Sequence, residues 1–460
     1  MQIKVNSQIY ISNPTKDIID YCKKKLTIKN PELQKKKAMG FYARNIPPQI
    51  RMYSVNDNTY ILPIGTIDDV WKIDSNIQDY DICFGSHEKL EFPETSFKLY
   101  DYQEKAVEKM LKVKRGILES KCGTGKSIMG LEIIRRIGYK ALIIVQTKEI
   151  LDQFKSYLEI NFNMKKGDFG IIASGKVEIG KYITIALRQT LVNIDLQEYK
   201  FEWGTILVDE VQNCAGSVTK VSQYQKILNS LASEYRIGLS ATAYRVDGLT
   251  PCLYALMNVV KYRVDESCIQ DKIMKAKIYR VNTAYEIPFC CQKYDGTINY
   301  TSLPTNLATN QSRNKLIIQK LKEEKDNYCL ILSDRLDGLK ILQQSVGGLL
   351  IDGKMISKKA KEERQKAVEK MRNKEEHYLF ATYSLAREGL DIKPLNRLFL
   401  VAPTKNKISI IQSVGRIERK AEGKKDAKVY DFVDNDIYFD KAWKDRKTIY
   451  KKNGNIIIDN

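Results

Sequence analysis

The sequence predicts an α/β protein, with two tandem parallel-sheet units behind a small N-terminal α+β domain. Three observations carry this. From Leu99 onward, short apolar runs that read as buried strands alternate with amphipathic helices, the pattern of a parallel sheet covered on both faces. That alternation runs to about Thr250 and is present again from Tyr328. Before Leu99 the pattern is different, with period-two apolar residues and two Asn-Pro turns. The divisions read as 1–95 (N-terminal domain and linker), 96–260 and 261–436 (the two sheet units) and 437–460 (a basic closing helix). At 460 residues the chain is long enough for two or three separate cores.

In the N-terminal part, Ile3, Val5, Ile9 and Ile11 alternate as in a strand. Asn13-Pro14 starts a helix with Ile18, Ile19, Cys22 and Leu26 on one face. Asn30-Pro31 then opens a basic stretch, Lys35-Lys36-Lys37, that leads to Phe41, Tyr42 and Arg44. Basic residues interleaved with aromatics can grip a nucleic-acid backbone, which makes Lys36 and Arg44 candidates. They can equally be a solvated helix face beside two core rings, and the sequence leaves both open. Ile50 to Val55 and Thr59 to Leu62 flank Asn56-Asp57-Asn58 as a hairpin. The acidic, irregular stretch from Asp74 to Pro93 reads as a linker.

The first sheet unit holds the strongest signal. Gly116-Ile117-Leu118 reads as a strand, Ile128, Leu131 and Ile134 as one face of a helix, and between them runs Ser120-Lys121-Cys122-Gly123-Thr124-Gly125-Lys126-Ser127. Strand, glycine turn and helix are what a phosphate-binding loop requires. Gly123 and Gly125 let backbone N–H groups curl around a polyphosphate, with Thr124 between them. The helix adds its positive N-terminal end, Lys126 a point charge and Ser127 a hydroxyl for Mg²⁺. Ser120 stands where the full pattern has glycine. Further strands are expected at Ala141–Val145, Tyr182–Ala186, Thr205–Val208 and Arg236–Leu239, with a helix burying Ile150, Leu151, Phe154 and Leu158. At the carboxyl end of Thr205–Val208, where open α/β sheets bind ligands, stand Asp209 and Glu210. An aspartate there can hold Mg²⁺ through water, and a glutamate can orient or deprotonate an attacking water.

In the second unit, strands are expected at Tyr328–Leu332, Leu349–Ile351, Tyr378–Ala381, Leu398–Val401 and Lys428–Phe432, without a phosphate loop. Gln412-Ser413-Val414-Gly415-Arg416-Ile417-Glu418-Arg419 places two arginines at i and i+3, on one face of a helix. An arginine delivered to a γ-phosphate neutralises transition-state charge and is worth about 10³–10⁵ in rate. Gln292-Lys293-Tyr294 and Thr297 to Tyr300 flank Asp295-Gly296, a two-residue hairpin signal. It reads as a strand-separating pin tipped by Tyr294, or as an ordinary surface hairpin. Ile437 to Lys452 is amphipathic and basic, as in a closing helix.

Composition narrows the chemistry. Lys+Arg number 76 against 56 Asp+Glu, a formal charge of +20, which suits a polyanionic partner or a lysine-rich solvated surface. Nine cysteines without a C-x-x-C pair suggest neither zinc site nor disulfide framework, and two histidines leave little room for histidine catalysis. No apolar run of about twenty residues predicts a membrane span. The N-terminus has no signal-peptide core, so an intracellular protein is expected.

Taken in order, these segments resemble a superfamily 2 helicase motor. Leu99-Tyr100-Asp101-Tyr102-Gln103 resembles its adenine-reading entry motif, and Ser120 to Ser127 motif I. Gln146-Thr147-Lys148 to Phe154 is similar to motif Ia, Asp209 to Gln212 to motif II, and Ser240-Ala241-Thr242 to motif III. Leu332 to Arg335 resembles motif IV, Ala381-Thr382 through Gly389-Leu390-Asp391 motif V, and Gln412 to Arg419 motif VI. Gly238 to Arg245 and the small N-terminal domain are most similar to the phage UvsW-type and XPB-like branch. The resemblance implies two RecA-like domains, ATP and Mg²⁺ as cofactors, and action as a monomer on branched or forked DNA with a single-stranded track, 3′ to 5′.

By position, Gln103 would read adenine, Lys126 would contact the β- and γ-phosphates, Ser127 and Asp209 would hold Mg²⁺, and Glu210 would act as base. Gln212, Ser240 and Thr242 would couple the nucleotide to the track, Asp391 would touch ribose, and Gln412, Arg416 and Arg419 would face the γ-phosphate. Thr147, Arg335 and Thr382 would contact nucleic-acid backbone. Gln212 departs from the histidine common in motif II. An RNA-directed helicase of the same superfamily and an ATP-switched DNA clamp without unwinding are the rival readings.

Overall fold

The computed structural model describes residues 1–38, 46–74, 80–121, 123–215, 222–245, 247–265, 267–268, 274–352, 358–387, 392–404 and 407–458. It divides into two compact units, the first built from Met1–Lys121 and Gly125–Asp265, the second chiefly from Glu266–Asn460.

The first unit contains an eight-stranded sheet. From edge to edge it runs Lys176–Val177, Phe169–Ala173, Ile183–Leu187, Ala141–Val145, Thr205–Val208, Tyr235–Ser240, Arg115–Glu119 and Val260–Arg263. Only the outermost pair, Phe169–Ala173 with Lys176–Val177, is antiparallel. Because central strands are covered on both faces, all five residues of Ala141–Val145 are buried. The helix Lys126–Ile137 lies close on this sheet: a Cβ at Gly130 would stand 2.8 Å from Leu239 Cδ1, so glycine there sets how near the helix start comes to the strand ends. The boundary expected after residue 260 cuts a strand, since Val260–Arg263 pairs in parallel with Arg115–Glu119. None of its four residues is fully buried, which leaves too weak a pattern to extend the unit.

The N-terminal part forms a five-stranded sheet in the order Ser54–Asn56, Thr59–Pro63, Gln8–Ser12, Gln2–Val5, Tyr80–Ile82. The single strand expected over residues 3–11 is a hairpin. Ile3 pairs with Ile11 and Val5 with Ile9 about a turn at Asn6-Ser7, which preserves the alternation and buries all four. The stretch expected as a linker contributes Tyr80–Ile82, parallel to Gln2–Val5. The helix Lys16–Lys25 is capped by the Thr15 hydroxyl and buries Ile18 and Cys22. This layer is joined to the eight-stranded part. A Cβ at Gly65 would lie 2.5 Å from Ala255 O, so the turn Ile64–Thr66 abuts the helix Thr250–Met257 backbone to backbone. Beside it, Asp68 accepts from Lys261 Nζ at 2.7 Å and from Asn258 Nδ2 at 2.9 Å.

The second unit is a seven-stranded, wholly parallel sheet: Leu349–Ile351, Tyr378–Thr382, Cys329–Ser333, Arg397–Leu400, Lys428–Val433, Lys277–Asn282, Ile456–Ile458. The strands Lys277–Asn282 and Ile456–Ile458 lie outside the expected set. Residues 437–460 are an integral part of this unit. The helix Ile437–Lys452 buries Phe439, Trp443, Arg446 and Tyr450, and the strand after it extends the sheet. Arg446 makes a buried two-pronged pair with Asp431, both contacts at 2.8 Å, and Tyr450 Oη donates to the same carboxylate at 2.7 Å.

The Asp295-Gly296 feature is a turn without strands. One bridge, Gln292 with Ile298, is all the ladder it has. Asp295 accepts from Thr297 N at 2.9 Å and Thr297 Oγ1 at 2.6 Å, and Phe289–Cys291 forms a 3-10 turn. A β-pin is therefore absent there; the flanks carry too few apolar side chains to bury a strand face.

Candidate active site

In the first unit the functional loops follow three adjacent strands. Arg115–Glu119 leads into the glycine loop, Thr205–Val208 into Asp209-Glu210, and Tyr235–Ser240, lying between them, into Ala241-Thr242. Register fixes this, with Val208 opposite Gly238 and Ser240 opposite Glu119. Gly123 and Gly125 both take left-handed backbone, φ +84° and +80°, which side chains other than glycine adopt only at a cost. Gly125 caps the helix that begins at Lys126, and Ser127 is its second residue. The Lys126 ammonium donates back to Lys121 O at 3.3 Å. Gln103, on the helix Asp101–Leu111, lies against this loop, where a Cβ at Gly125 would meet its Nε2 at 2.5 Å; its Oε1 accepts from Tyr100 N at 3.0 Å.

Asp209 and Glu210 come together at the end of a fully buried strand. Burial first, and then the neighbouring Glu210 charge, push the Asp209 carboxyl up to about 7, while the nearby Lys126 ammonium pulls it down. A buried acid in that condition wants a cation. With the Ser127 hydroxyl and the glycine loop, the donor set fits a polyphosphate carrying Mg²⁺: hard oxygen ligands, backbone N–H groups and a lysine. Bound there, Mg²⁺ would neutralise charge on the phosphate oxygens, held by Ser127 and Asp209.

The expected coupling residues form a hydrogen-bonded chain. Glu210 takes left-handed backbone, φ 47°, and its carboxylate accepts from Gln212 Nε2. Ser240 Oγ donates to Gln212 Oε1 at 2.6 Å, and Thr242 N donates to Ser240 Oγ at 2.9 Å. The side chains of motif II and the backbone of motif III are thereby one network. Glutamine at 212 serves this well, since its amide donates at one end and accepts at the other.

The sequence assigns no individual role to two further participants. Glu119 accepts from Ala243 N at 3.1 Å and from Arg263 Nε at 2.7 Å, and Arg245 Nη1 donates to Gln212 O at 2.5 Å. All three contacts join residues far apart in sequence, so only the folded sheet shows them.

In the second unit Gln412 and Arg416 lie one turn apart on the helix Lys407–Ile417. Gln412 is buried, and its Oε1 has no hydrogen-bond partner among the described residues, a group placed to accept from a ligand. Arg419 lies past the last helical residue, Ile417, so the two arginines do not share one helical face as the i, i+3 spacing suggested.

The nucleic-acid candidates fall on both units. Thr147 caps the helix Lys148–Asn161, its Oγ1 accepting from Ile150 N. Arg335 is exposed at the start of Leu336–Val346, and Thr382 is buried with its hydroxyl 2.9 Å from Ser384 Oγ. Lys36 pairs with Glu32 at 3.4 Å on a helix, and Tyr294 is fully exposed. Arg44 and Asp391 lie outside the described residues. Among the described residues no cluster of histidine, cysteine or acidic side chains suits a bound metal of its own, and no helix is long and apolar enough to cross a membrane.

Comparison with known proteins agrees with this layout. Residues 96–245 match the model "Type III restriction enzyme, res subunit", and residues 308–421 match "Helicase conserved C-terminal domain". A helicase of Acanthamoeba polyphaga mimivirus, bearing the name of an ATP-dependent RNA helicase, is 29% identical over 343 residues, 73% of this chain and 64% of its own length. The chain thus spans under two thirds of that relative. "DNA 3'-5' translocase XPB2" of Sulfurisphaera tokodaii is 29% identical over 197 residues, 42% of this chain and 43% of its own. The Hef helicase domain of Pyrococcus furiosus shares the fold, with TM-score 0.50 at 13% identity, covering 75% of this chain and 97% of that one. With both models matched, together over more than half of the chain and in the order the motifs occupy, the chain belongs to the superfamily 2 helicases.

Proposed function

We propose that this protein is an ATP- and Mg²⁺-dependent DNA helicase or translocase that remodels branched DNA such as forks, Holliday junctions and recombination intermediates, tracking 3′ to 5′ as a monomer. The observation that carries the reading is the chain from Glu210 through Gln212 and Ser240 to Thr242. A nucleotide switch needs such a connection, because a change at the catalytic carboxylate must reach another loop. In this reading Lys126 and the glycine loop bind the phosphates, Gln103 reads the base, Glu210 takes the proton of the attacking water, and Gln412, Arg416 and Arg419 stabilise transition-state charge. Asp391 would touch ribose, and Thr147, Arg335, Thr382, Lys36, Arg44 and Tyr294 would contact nucleic acid.

The net charge of +20 supports a polyanionic track, and the XPB2 relative carries a DNA name. Binding should then weaken steeply with salt. The RNA name of the mimivirus relative favours a second reading, an RNA-directed motor on the same site. One experiment separates them: ATPase stimulation and strand displacement on a fork, a Holliday junction, a 3′-tailed DNA duplex and a matched RNA duplex. Displacement of branched DNA is expected, with Lys126→Ala abolishing hydrolysis while DNA binding persists. Stimulation by RNA alone would overturn the DNA assignment, and full hydrolysis by Lys126→Ala would remove the nucleotide site.

A further inference from the structure

The segment that carries Arg416 and Arg419 is held by an unusual device. A helix leaves its last carbonyls without intrahelical donors, and most helix ends satisfy them with a turn through glycine or with water. Here the donor is a lysine ammonium from beyond the helix. Lys424 Nζ donates to Arg419 O at 2.8 Å, to Leu395 O at 2.6 Å, and to Ile417 O. A tight turn brings it back: Gly423 takes φ +79°, and Lys424 N donates to Ala421 O at 3.2 Å. Leu395 lies just before the strand Arg397–Leu400, so one ammonium ties both ends of the arginine segment to the approach to a central strand.

A second anchor sits between the two arginines. Glu418 Oε1 accepts from Ala276 N at 3.1 Å and from Asn455 Nδ2 at 2.5 Å, and Glu418 O accepts from Met274 N at 2.8 Å. The flanking Ile417 is fully buried. Residues 417 and 418 are therefore fixed inward, and the backbone directions of 416 and 419 are set by groups from Leu395, Ala276, Lys424 and Asn455.

Stability alone is a poor reason for this arrangement. Burial, and next the positive charge of Arg419, lower the Lys424 ammonium to about 7, partly offset by Glu418. A glycine cap would close the same helix without placing a cation there. We propose that Lys424 is a positioning residue for ATP hydrolysis, acting through the backbone of residues 417–419 to hold Arg416 and Arg419 in their productive direction, with Glu418 and Asn455 completing the clamp. The inference rests on the reading of those arginines as the groups that act on the nucleotide.

The test is a double-mutant cycle on the full chain, reading kcat and KM for ATP in the nucleic-acid-stimulated reaction. Lys424→Met should lower kcat about 10- to 100-fold, the scale of a misplaced catalytic group, and leave KM and fluorescent-ADP affinity within about twofold. Combined with Arg416→Ala, it should add almost nothing, because both changes remove one function. A Lys424→Met loss that multiplies that of Arg416→Ala, or that raises KM in step, overturns the proposal. An unchanged kcat does the same. If Arg416→Ala and Arg419→Ala are themselves silent, the arginine reading fails first, a result legible without any Lys424 variant. Should Lys424→Met not fold, Asn455→Ala carries the test: a loss of about threefold in kcat at unchanged KM supports the clamp, and equal changes in both, or none, refute it.

Discussion

The two units hold their functional segments by opposite means. In the first, the loops after three adjacent strands are joined side chain to side chain, from Glu210 through Gln212 to Ser240. In the second, the segment around Arg416 and Arg419 is held chiefly by its backbone: Lys424 grips the carbonyls of 417 and 419, Met274 N donates to Glu418 O, and the Glu418 carboxylate is fixed by Ala276 N and Asn455. A network of side chains can pass a change in one member to the next, since each bond depends on its neighbour's orientation. A clamped backbone resists change and presents its side chains in one direction. The first arrangement suits sensing a nucleotide, and the second suits acting on it from a fixed base.

Breaking the two arrangements should therefore give different phenotypes. The largest effect in the first unit is expected from Glu210→Gln, which keeps the shape and the partner Gln212 but removes the proposed base. Losses of about 10²–10⁴ in kcat with nucleotide binding retained are the scale for a general base. Steady-state ATPase beside equilibrium binding of a nucleotide analogue reads this directly, and hydrolysis within a few-fold of the parent would deprive Glu210 of its role. Ser240→Ala should do less to hydrolysis and more to work. It removes the donor to Gln212 Oε1 and the acceptor for Thr242 N, while Asp209, Glu210 and Lys126 stay in place. Expected is ATPase within about threefold, as for loss of a neutral hydrogen bond, but far less displacement per ATP consumed. If displacement falls only in proportion to hydrolysis, the chain transmits nothing and the contrast between the units loses its meaning.

How legible this was from sequence depends on the range of the physics involved. The glycine loop and the Asp209-Glu210 strand end were readable because strand, turn and helix signals are local, and a buried parallel strand is an apolar run. The hairpin at Asn6-Ser7 was hidden because Val5 pairs with Ile9, an even number of residues on, so the turn keeps period two and one strand and two look alike. The strand Ile456–Ile458 was missed for its length, with three residues too few to show a period. Asp295-Gly296 misled in the other direction, since the turn chemistry is right but the flanks have nothing to bury. Lys424 lay within five residues of Arg419 and still gave no signal. What identifies it is convergence on the backbone carbonyls of Leu395, Ile417 and Arg419, and its reach to Leu395 O exists only in the folded sheet.

The smallest effect concerns how the N-terminal layer is held to the eight-stranded sheet, and its pH dependence has a definite sign. Burial by itself would raise the Asp68 carboxyl, but hydrogen bonds from Lys261 and Asn258 and the charges of Lys261 and Arg115 outweigh it and hold it below the usual carboxylate range. A carboxyl depressed by folding stabilises fully above its unfolded value, about 3.9, and that contribution is lost as pH falls through the folded value. The side chain is 38% exposed, so solvent screening limits the pair to roughly 1 kcal/mol. Asp68→Asn should lower the thermal midpoint of the first unit by about 2–4 °C near neutrality. Below the folded value parent and variant should converge, because both then carry an uncharged group opposite Lys261. Thermal scans of the pair at pH 7 and near pH 3 decide it: a deficit that persists unchanged in acid would mean that asparagine disturbs packing against Asn258, and that Asp68 does not hold the layer by charge.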